Sequence, residues 1–219
     1  MIRLIECKSR EDWLEHRKGK IGGSDAASVL GVNPWKTNRD LFDEKTGRRE
    51  PQDIGENPAV KYGKEAEEHL RALFALDFPE YEVEYFGDAM FVNDEIPFAH
   101  ASLDGILIEK ETGRKGILEI KTSTIQSAAH SAEWKDGRIP QNYYCQILHY
   151  LAVTGFEFAI LKAKLRYFRE GEEMSASSRH YRIEREEVKE DIAALMEAEK
   201  KFAEAMTSGK PPATILPEI

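Results

Sequence analysis

Residues 116–124 read GILEIKTST, an apolar run of the kind strands are made of, interrupted by an acid and a base. Side chains two apart on a strand share a face. Glu119 and Lys121 therefore project together, while Leu118 and Ile120 point the other way. The spacing alone decides little. The chain is 32% charged and carries Glu-x-Lys at 6–8, 119–121, 133–135, 187–189 and 199–201. The last two fall in a charged helical stretch, where such a pair is an ordinary solvated face. Only its surroundings can set the copy at 119 apart.

Those surroundings are strand-rich. Strands are predicted at roughly 82–92, 98–109 and 116–122, with turn signals at Gly87-Asp88 and Thr112–Gly116. Before them, residues 57–77 form an amphipathic helix in which Ala66, Leu70, Leu73, Phe74 and Phe78 trace one face. Shorter helices are predicted on either side of the Gly22-Gly23 turn, with Ser24 as N-cap and Gly31 as stop, and again from Thr37 or Asn38 to Gly47. After the strands, Pro140 opens a helix that ends at Gly155. FEFAILKAKLRYF and RHYRIE are further strands, and a charged helix at about 185–207, covering the sheet or forming a subunit contact, leads into a proline-containing tail. The order predicts an α/β fold with a mixed central β-sheet flanked by helices.

Bulk properties narrow the class. At 219 residues the chain fits one domain, and 41% hydrophobic content supplies a sizeable core. No run approaches the ~18 apolar residues of a membrane span, and MIRLIECKSRED has no signal-peptide h-region, so a reducing cytoplasm is expected. Two cysteines, Cys7 and Cys145, cannot build a disulfide framework or a four-cysteine metal site. The net charge of −9 argues against a general nucleic-acid glue. The charge is uneven, however: residues 1–50 hold eleven Lys/Arg against nine Asp/Glu, so a local basic patch stays open.

Fifteen residues before Glu119 stands Asp104, in ASLDGI. Asp-Gly is by itself a turn dipeptide, but here it lies in an apolar strand pattern one hairpin away from Glu119. Adjacent antiparallel strands put the two carboxylates on neighbouring positions of one sheet. Close carboxylates repel, and a hard cation such as Mg²⁺ or Mn²⁺ relieves them. Lys121 beside them can orient a water or stabilise developing negative charge. The helix offers further acids in YGKEAEEH, and Gly63 lets that helix approach the sheet closely. His130 and His149 lack partners at metal-site spacing. Trp35, Tyr143 and Tyr144 suit base stacking as well as ordinary packing.

Taken in order, HRKGKIGGSDAASVLGVNPW, YGKEAE, SLDG, LEIKT and YYCQILHYLAVTG resemble the PD-(D/E)xK nucleases, and among them the YqaJ-like viral recombinases of the phage lambda exonuclease family. The likeness covers nearly all of residues 13–155. Leu103 stands where such enzymes usually have proline, a position that carries no chemistry. The resemblance implies a restriction-endonuclease-like core and a single nuclease domain over 1–219. Within it, 1–50 is a helical N-terminal part with phosphate-pocket residues, 57–168 the catalytic core, and 185–219 the C-terminal helix and tail. It implies that Asp104, Glu119 and the Ile120 carbonyl ligate one or two Mg²⁺ ions, with Mn²⁺ as substitute, that Glu67 joins them, and that Lys121 positions the attacking water. It assigns Arg17, Ser24, Ser102 and Gln146 to a pocket for a 5′-phosphate, chemistry that an arginine and hydroxyls at a predicted helix start also suit.

The implied function is a Mg²⁺-dependent 5′→3′ exonuclease acting on double-stranded DNA and leaving 3′ overhangs for recombination. A ring-shaped homotrimer, a single-strand annealing partner and a phage or prophage origin in a bacterial cytoplasm go with it. Two alternatives stay open at this point: an endonuclease or end-processing repair nuclease with the same metal site, and a non-catalytic DNA-binding or annealing module.

Overall fold

A computed structural model of the chain describes residues 1–216; the last three residues of the expected tail, 217–219, lie outside the described residues. Its elements in chain order are β1 (Ile2–Glu6), α1 (Arg10–Arg17), β2 (Ile21–Gly22), α2 (Gly23–Val29), α3 (Asn38–Lys45), α4 (Pro58–Asp77), β3 (Tyr81–Glu84), β4 (Ala89–Asn93), β5 (Ala99–His100) and β6 (Gly105–Glu109). They continue with β7 (Lys115–Ile125), α5 (Ala128–Ala132), α6 (Gln141–Thr154), β8 (Phe158–Arg169), β9 (Glu172–Glu184) and α7 (Lys189–Ser208).

Five strands form the central sheet in the order β3-β6-β7-β8-β9. The β7–β8 pair is parallel and the other three pairs are antiparallel. The parallel step needs a crossover, which α5 and α6 supply. The mixed sheet flanked by helices is therefore as the sequence implies.

Alternation along β7 sorts its side chains between two cores. Leu118 and Ile120 pack with Leu70 and Phe74 of α4 and with Tyr81, Leu107, Phe158 and Ile160. Ile117 and Ile125 face Ile147 and Leu151 of α6, together with Ala159, Leu161 and Ala163 of β8. Glu119 and Lys121 have the parity of this second set, so the strand sends its only charged pair toward α6. Helix α4 comes close where its glycine permits it: a Cβ on Gly63 would stand 3.2 Å from the Thr122 hydroxyl.

Two local expectations are corrected. The strand expected over 82–92 is two strands in different sheets: β3 pairs with β6, and β4 pairs with β1. Gly87 at φ +58° makes the break between them, and β1, which alternation did not reveal, supplies the second partner. The strand expected over 98–109 is likewise divided, with β5 bridging β2 in parallel and β6 in the main sheet. The C-terminal helix α7 packs on α6 and α2, and its Phe202 meets Phe42 of α3 edge to face at 6.3 Å. Among the described residues, no helix is long and apolar enough to cross a membrane.

Candidate active site

Asp104 and Glu119 meet because β6 stops where β7 continues. The ladder runs to Gly105 opposite Leu118; one more rung would place Asp104 opposite Glu119. Asp104 instead sits just ahead of the strand, and its carboxylate accepts the Ile120 N–H at 2.7 Å. The N–H and C=O of one strand residue leave on the same side, so the Ile120 carbonyl faces the Asp104 side as well. Lys121 is salt-bridged to Glu119, and the Glu119 side chain is only 1% exposed.

Charge is crowded here. Enclosure in the protein, and then the neighbouring Glu119 charge, push the Asp104 carboxyl up to about 7. Burial likewise raises Glu119. Burial opposes the Lys121 ammonium, but Glu119 and Asp104 outweigh it and hold the lysine protonated well above its ordinary range. One oxygen of Glu119, Oε2, is buried without a hydrogen-bond partner. A buried acceptor in that state is costly, and a cation satisfies it. The oxygen donors Asp104, Glu119 and the Ile120 carbonyl form a set suited to Mg²⁺ or Mn²⁺ rather than to a softer ion.

Glu67 approaches from α4. It pairs with Arg71 at 3.2 Å, and Arg71 also donates to the main-chain oxygen of Asp104. Burial, and then the Asp104 charge, raise the Glu67 carboxyl. Its neighbours Glu65 and Glu68 are exposed to solvent. Of the three helix acids, only Glu67 is brought toward the sheet.

From the other face, α6 presents Gln146 and Tyr150 one turn apart. The Gln146 amide donates to Glu119 Oε1 at 2.7 Å and to the Tyr150 hydroxyl at 2.9 Å. Gln146 is thus a buried partner of Glu119 and not a helix-surface amide. Both its amide hydrogens are committed inside the protein, so it can donate to a phosphate only by releasing one of them. Gly23 lies against this pair, since a Cβ there would come 2.3 Å from the Tyr150 ring and 3.0 Å from Gln146 Cγ.

Two further phosphate-pocket candidates, Ser102 and Arg17, meet at Trp13. Its indole N–H donates to the Ser102 hydroxyl at 3.2 Å, and the Arg17 guanidinium lies 4.0 Å from its ring centroid. Burial pulls the Arg17 pKa down, opposed by the charges of Asp25 and Tyr150. Ser24 differs from expectation in its helical role. Gly22 is the N-cap of α2, and Ser24 is an exposed first-turn residue beside Gly23. Asp25 holds the turn, accepting the Gly22 N–H at 2.9 Å and pairing with Lys45 at 2.6 Å.

Tyr150, Arg71, Trp13 and Asp25 were not singled out from the sequence. The signal for the first two was there: Gln146 to Tyr150 and Glu67 to Arg71 are each i,i+4 pairs on one helix face. The tempting histidines have local partners. His149 is fully buried between Glu199 and the His100 carbonyl, at 2.8 and 2.9 Å. His130 shares a hydrogen bond with Ser123 at 3.2 Å. Trp35 is 77% exposed, and the Tyr143 ring lies 5.6 Å from Lys121 Nζ.

Known proteins share this architecture. An alkaline exonuclease from Laribacter hongkongensis superposes with a TM-score of 0.63 at 22% identity, covering 91% of this chain and 96% of that one. Its complex with dAMP matches at 0.64. A phage-related exonuclease from Haemophilus somnus 129PT gives 0.52 at 14% identity, covering 87% and 96%. The fold is the restriction-endonuclease-like type of these exonucleases. The uncharacterized protein YqaJ of Bacillus subtilis (strain 168) is 35% identical over 150 residues, 68% of this chain and 44% of that protein, so the match spans less than half of that relative. Residues 12–157 match the YqaJ-like viral recombinase domain, a segment that runs from α1 past α6 and contains every residue of the site described above. The chain belongs to the YqaJ-like viral recombinase family.

Proposed function

We propose that the protein is a Mg²⁺-dependent exonuclease that degrades double-stranded DNA 5′→3′ and leaves 3′ single-stranded overhangs for phage-type recombination. The observation that carries this reading is the convergence of Asp104, Glu119 and Lys121 on the Ile120 peptide, with Glu119 Oε2 buried and unpartnered. Asp104, Glu119 and the Ile120 carbonyl would hold the first ion, and Glu67 would serve a second. When bound, a divalent ion supplies Lewis-acid activation of water and of the scissile phosphate. Lys121, kept as an ammonium by its carboxylate neighbours, orients the attacking water and offsets charge on the phosphoryl oxygens; in that state it is not the proton acceptor. Gln146 and Tyr150 fix the Glu119 carboxylate. Arg17, Ser24 and Ser102 receive the 5′-phosphate of the strand being digested, with Gln146 at the edge of that pocket. A dAMP complex of a fold relative is the kind of 5′-nucleotide such a pocket would release.

The family resemblance adds a homotrimeric ring around the duplex. In a ring an acidic chain can still line its inner surface with basic groups, and the N-terminal excess of cations is the natural candidate for that lining. An annealing protein would receive the overhang.

The test is digestion of linear duplex with and without a 5′-phosphate, beside a covalently closed circle. Preferred loss of the phosphorylated linear substrate, with the circle intact and activity gone in Asp104→Ala and Lys121→Ala, is the expected result. A cut circle would favour an endonuclease. Absence of Mg²⁺ and Mn²⁺ binding by calorimetry would favour a non-catalytic DNA-binding module.

A further inference from the structure

A second set of metal-ligating side chains lies outside the carboxylate site. Cys7, at the end of β1, and Asp12 and His16, one turn apart on α1, each point one ligand atom at a common space, and these atoms all lie within 4.8 Å of one another. We propose that Cys7, Asp12 and His16 form a Zn²⁺ site that staples β1 to α1.

The donor set selects the metal. Thiolate, imidazole and carboxylate together suit a borderline ion, whereas Mg²⁺ takes oxygen alone. Ligand bonds of about 2.0–2.3 Å in a tetrahedron put neighbouring ligand atoms roughly 3.3–3.8 Å apart. Asp12 Oδ1 and His16 Nε2 already stand at 3.5 Å, and the thiol lies within 4.8 Å of a ligand atom of each. The site is also prepared around its ligands. The Lys8 N–H holds the other Asp12 oxygen at 2.9 Å, fixing the carboxylate with one oxygen free. The Cys7 N–H is bonded to the Asp88 carbonyl at 3.2 Å, which anchors the thiol's backbone to the turn before β4. Outer partners of this kind orient ligands in metal sites. His16 and Asp12 side chains are 41% and 37% exposed, which leaves an entry path and a fourth position for water.

The charge balance agrees. The Cys7 thiol gives its proton to solvent as the Zn–S bond forms. One thiolate and one carboxylate then neutralise the ion. The consequence is local: α1 carries Trp13 and Arg17, and the staple would steady the corner that presents them.

Co²⁺ titration of the full chain tests this without reading nuclease activity, so its outcome is independent of the proposed function. One Co²⁺ should give a near-ultraviolet thiolate-to-metal charge-transfer band, displaced by Zn²⁺, kept in Cys145→Ala and absent in Cys7→Ser. Co²⁺ on Asp104 and Glu119 gives no such band. His16→Ala, at an exposed position where folding is not at risk, should weaken Co²⁺ binding by no less than the ~10–100-fold typical of losing an outer partner. Zn²⁺ should raise the melting temperature of the parent chain and not that of His16→Ala. No charge-transfer band at excess Co²⁺, a band that survives Cys7→Ser, or unchanged binding in His16→Ala would overturn the site.

Discussion

The Asp104 carboxylate accepts the backbone N–H of Ile120 at 2.7 Å, joining the end of one strand to the middle of the next. That single bond places the aspartate against a buried glutamate with which it shares no ladder rung. Asp104→Asn keeps an acceptor for Ile120 and removes one of two crowded negative charges. The metal-free variant should therefore melt higher than the parent, by roughly 2–4 °C for each kcal/mol relieved. Duplex digestion should fall by at least ~10²-fold. Thermal melts in EDTA and a digestion assay check both halves; an Asn variant that melts lower would contradict the account of charge crowding.

A proton and the proposed metal ion would compete for the same carboxylates. Asp104 is pushed up to about 7, against about 3.9 for the group in an unfolded chain. Between those values the folded state binds more protons than the unfolded state, so metal-free stability falls as pH rises from about 4 to 7. Below that window the folded and unfolded groups are both protonated, and above it both are ionised, so the slope vanishes. Mg²⁺ affinity should run the other way, tightening as pH climbs through 7 and Asp104 gives up its proton. Calorimetric Mg²⁺ titrations at pH 6, 7 and 8 on the protein without DNA check the direction.

The parity of Glu119 and Lys121, the amphipathic face of α4, Pro140 as the start of α6 and the Asp104 hairpin were all legible because each depends on period and local chemistry. The division of 82–92 was not, because Val83 and Val92 both read as strand and only the partner decides the sheet. Ser24 read as an N-cap on residue type, yet Gly22 takes that position, its N–H held by the Asp25 carboxylate, which also pairs with Lys45, twenty residues on. The Gln146–Glu119 bond spans 27 residues and belongs to tertiary packing, which no local pattern encodes. The site's first ring of acids was thus readable, while the polar groups that orient it were not.

Gln146 binds Glu119 and Tyr150 with its amide, so it acts on the carboxylate's orientation. Gln146→Ala should lower kcat/KM on linear duplex by ~10–100-fold, the usual cost of losing an orienting partner, and should weaken Mg²⁺ binding in the absence of DNA. Tyr150→Phe removes the second bond only and should cost less. If Gln146→Ala altered the preference for 5′-phosphorylated ends while leaving metal affinity unchanged, its role would lie in the pocket alone.

Gly23 has no room for a side chain. A Cβ there would stand 2.3 Å from the Tyr150 ring, and both residues are walled in by α6 and the glycine turn. Gly23→Ala should destabilise by about 1–3 kcal/mol through overpacking and displace Tyr150 from Gln146. The double variant Gly23→Ala with Tyr150→Leu frees that space and should recover part of the lost melting temperature. Circular dichroism melts of the two variants decide it, and equal melting temperatures would place the strain elsewhere.

Lys162 is the counter-example to Lys121. It lies on β8, fully buried, with Nζ lacking a hydrogen-bond partner, 3.9 Å from Asp77 and 5.7 Å from the Phe74 ring centroid. Burial pulls its pKa down, only partly offset by Asp77. An ammonium held this loosely loses hydration without a full return, so an apolar chain of the same length should fit better. Lys162→Met should stabilise the fold by roughly 1–3 kcal/mol, as replacement of poorly compensated buried charge often does. Lys162→Ala leaves the stem's volume empty beside Phe74 and should destabilise by about 2–4 kcal/mol through the cavity. Opposite signs in urea denaturation would separate charge from volume at this position; destabilisation by both would mean that the Asp77 contact outweighs the loss of hydration.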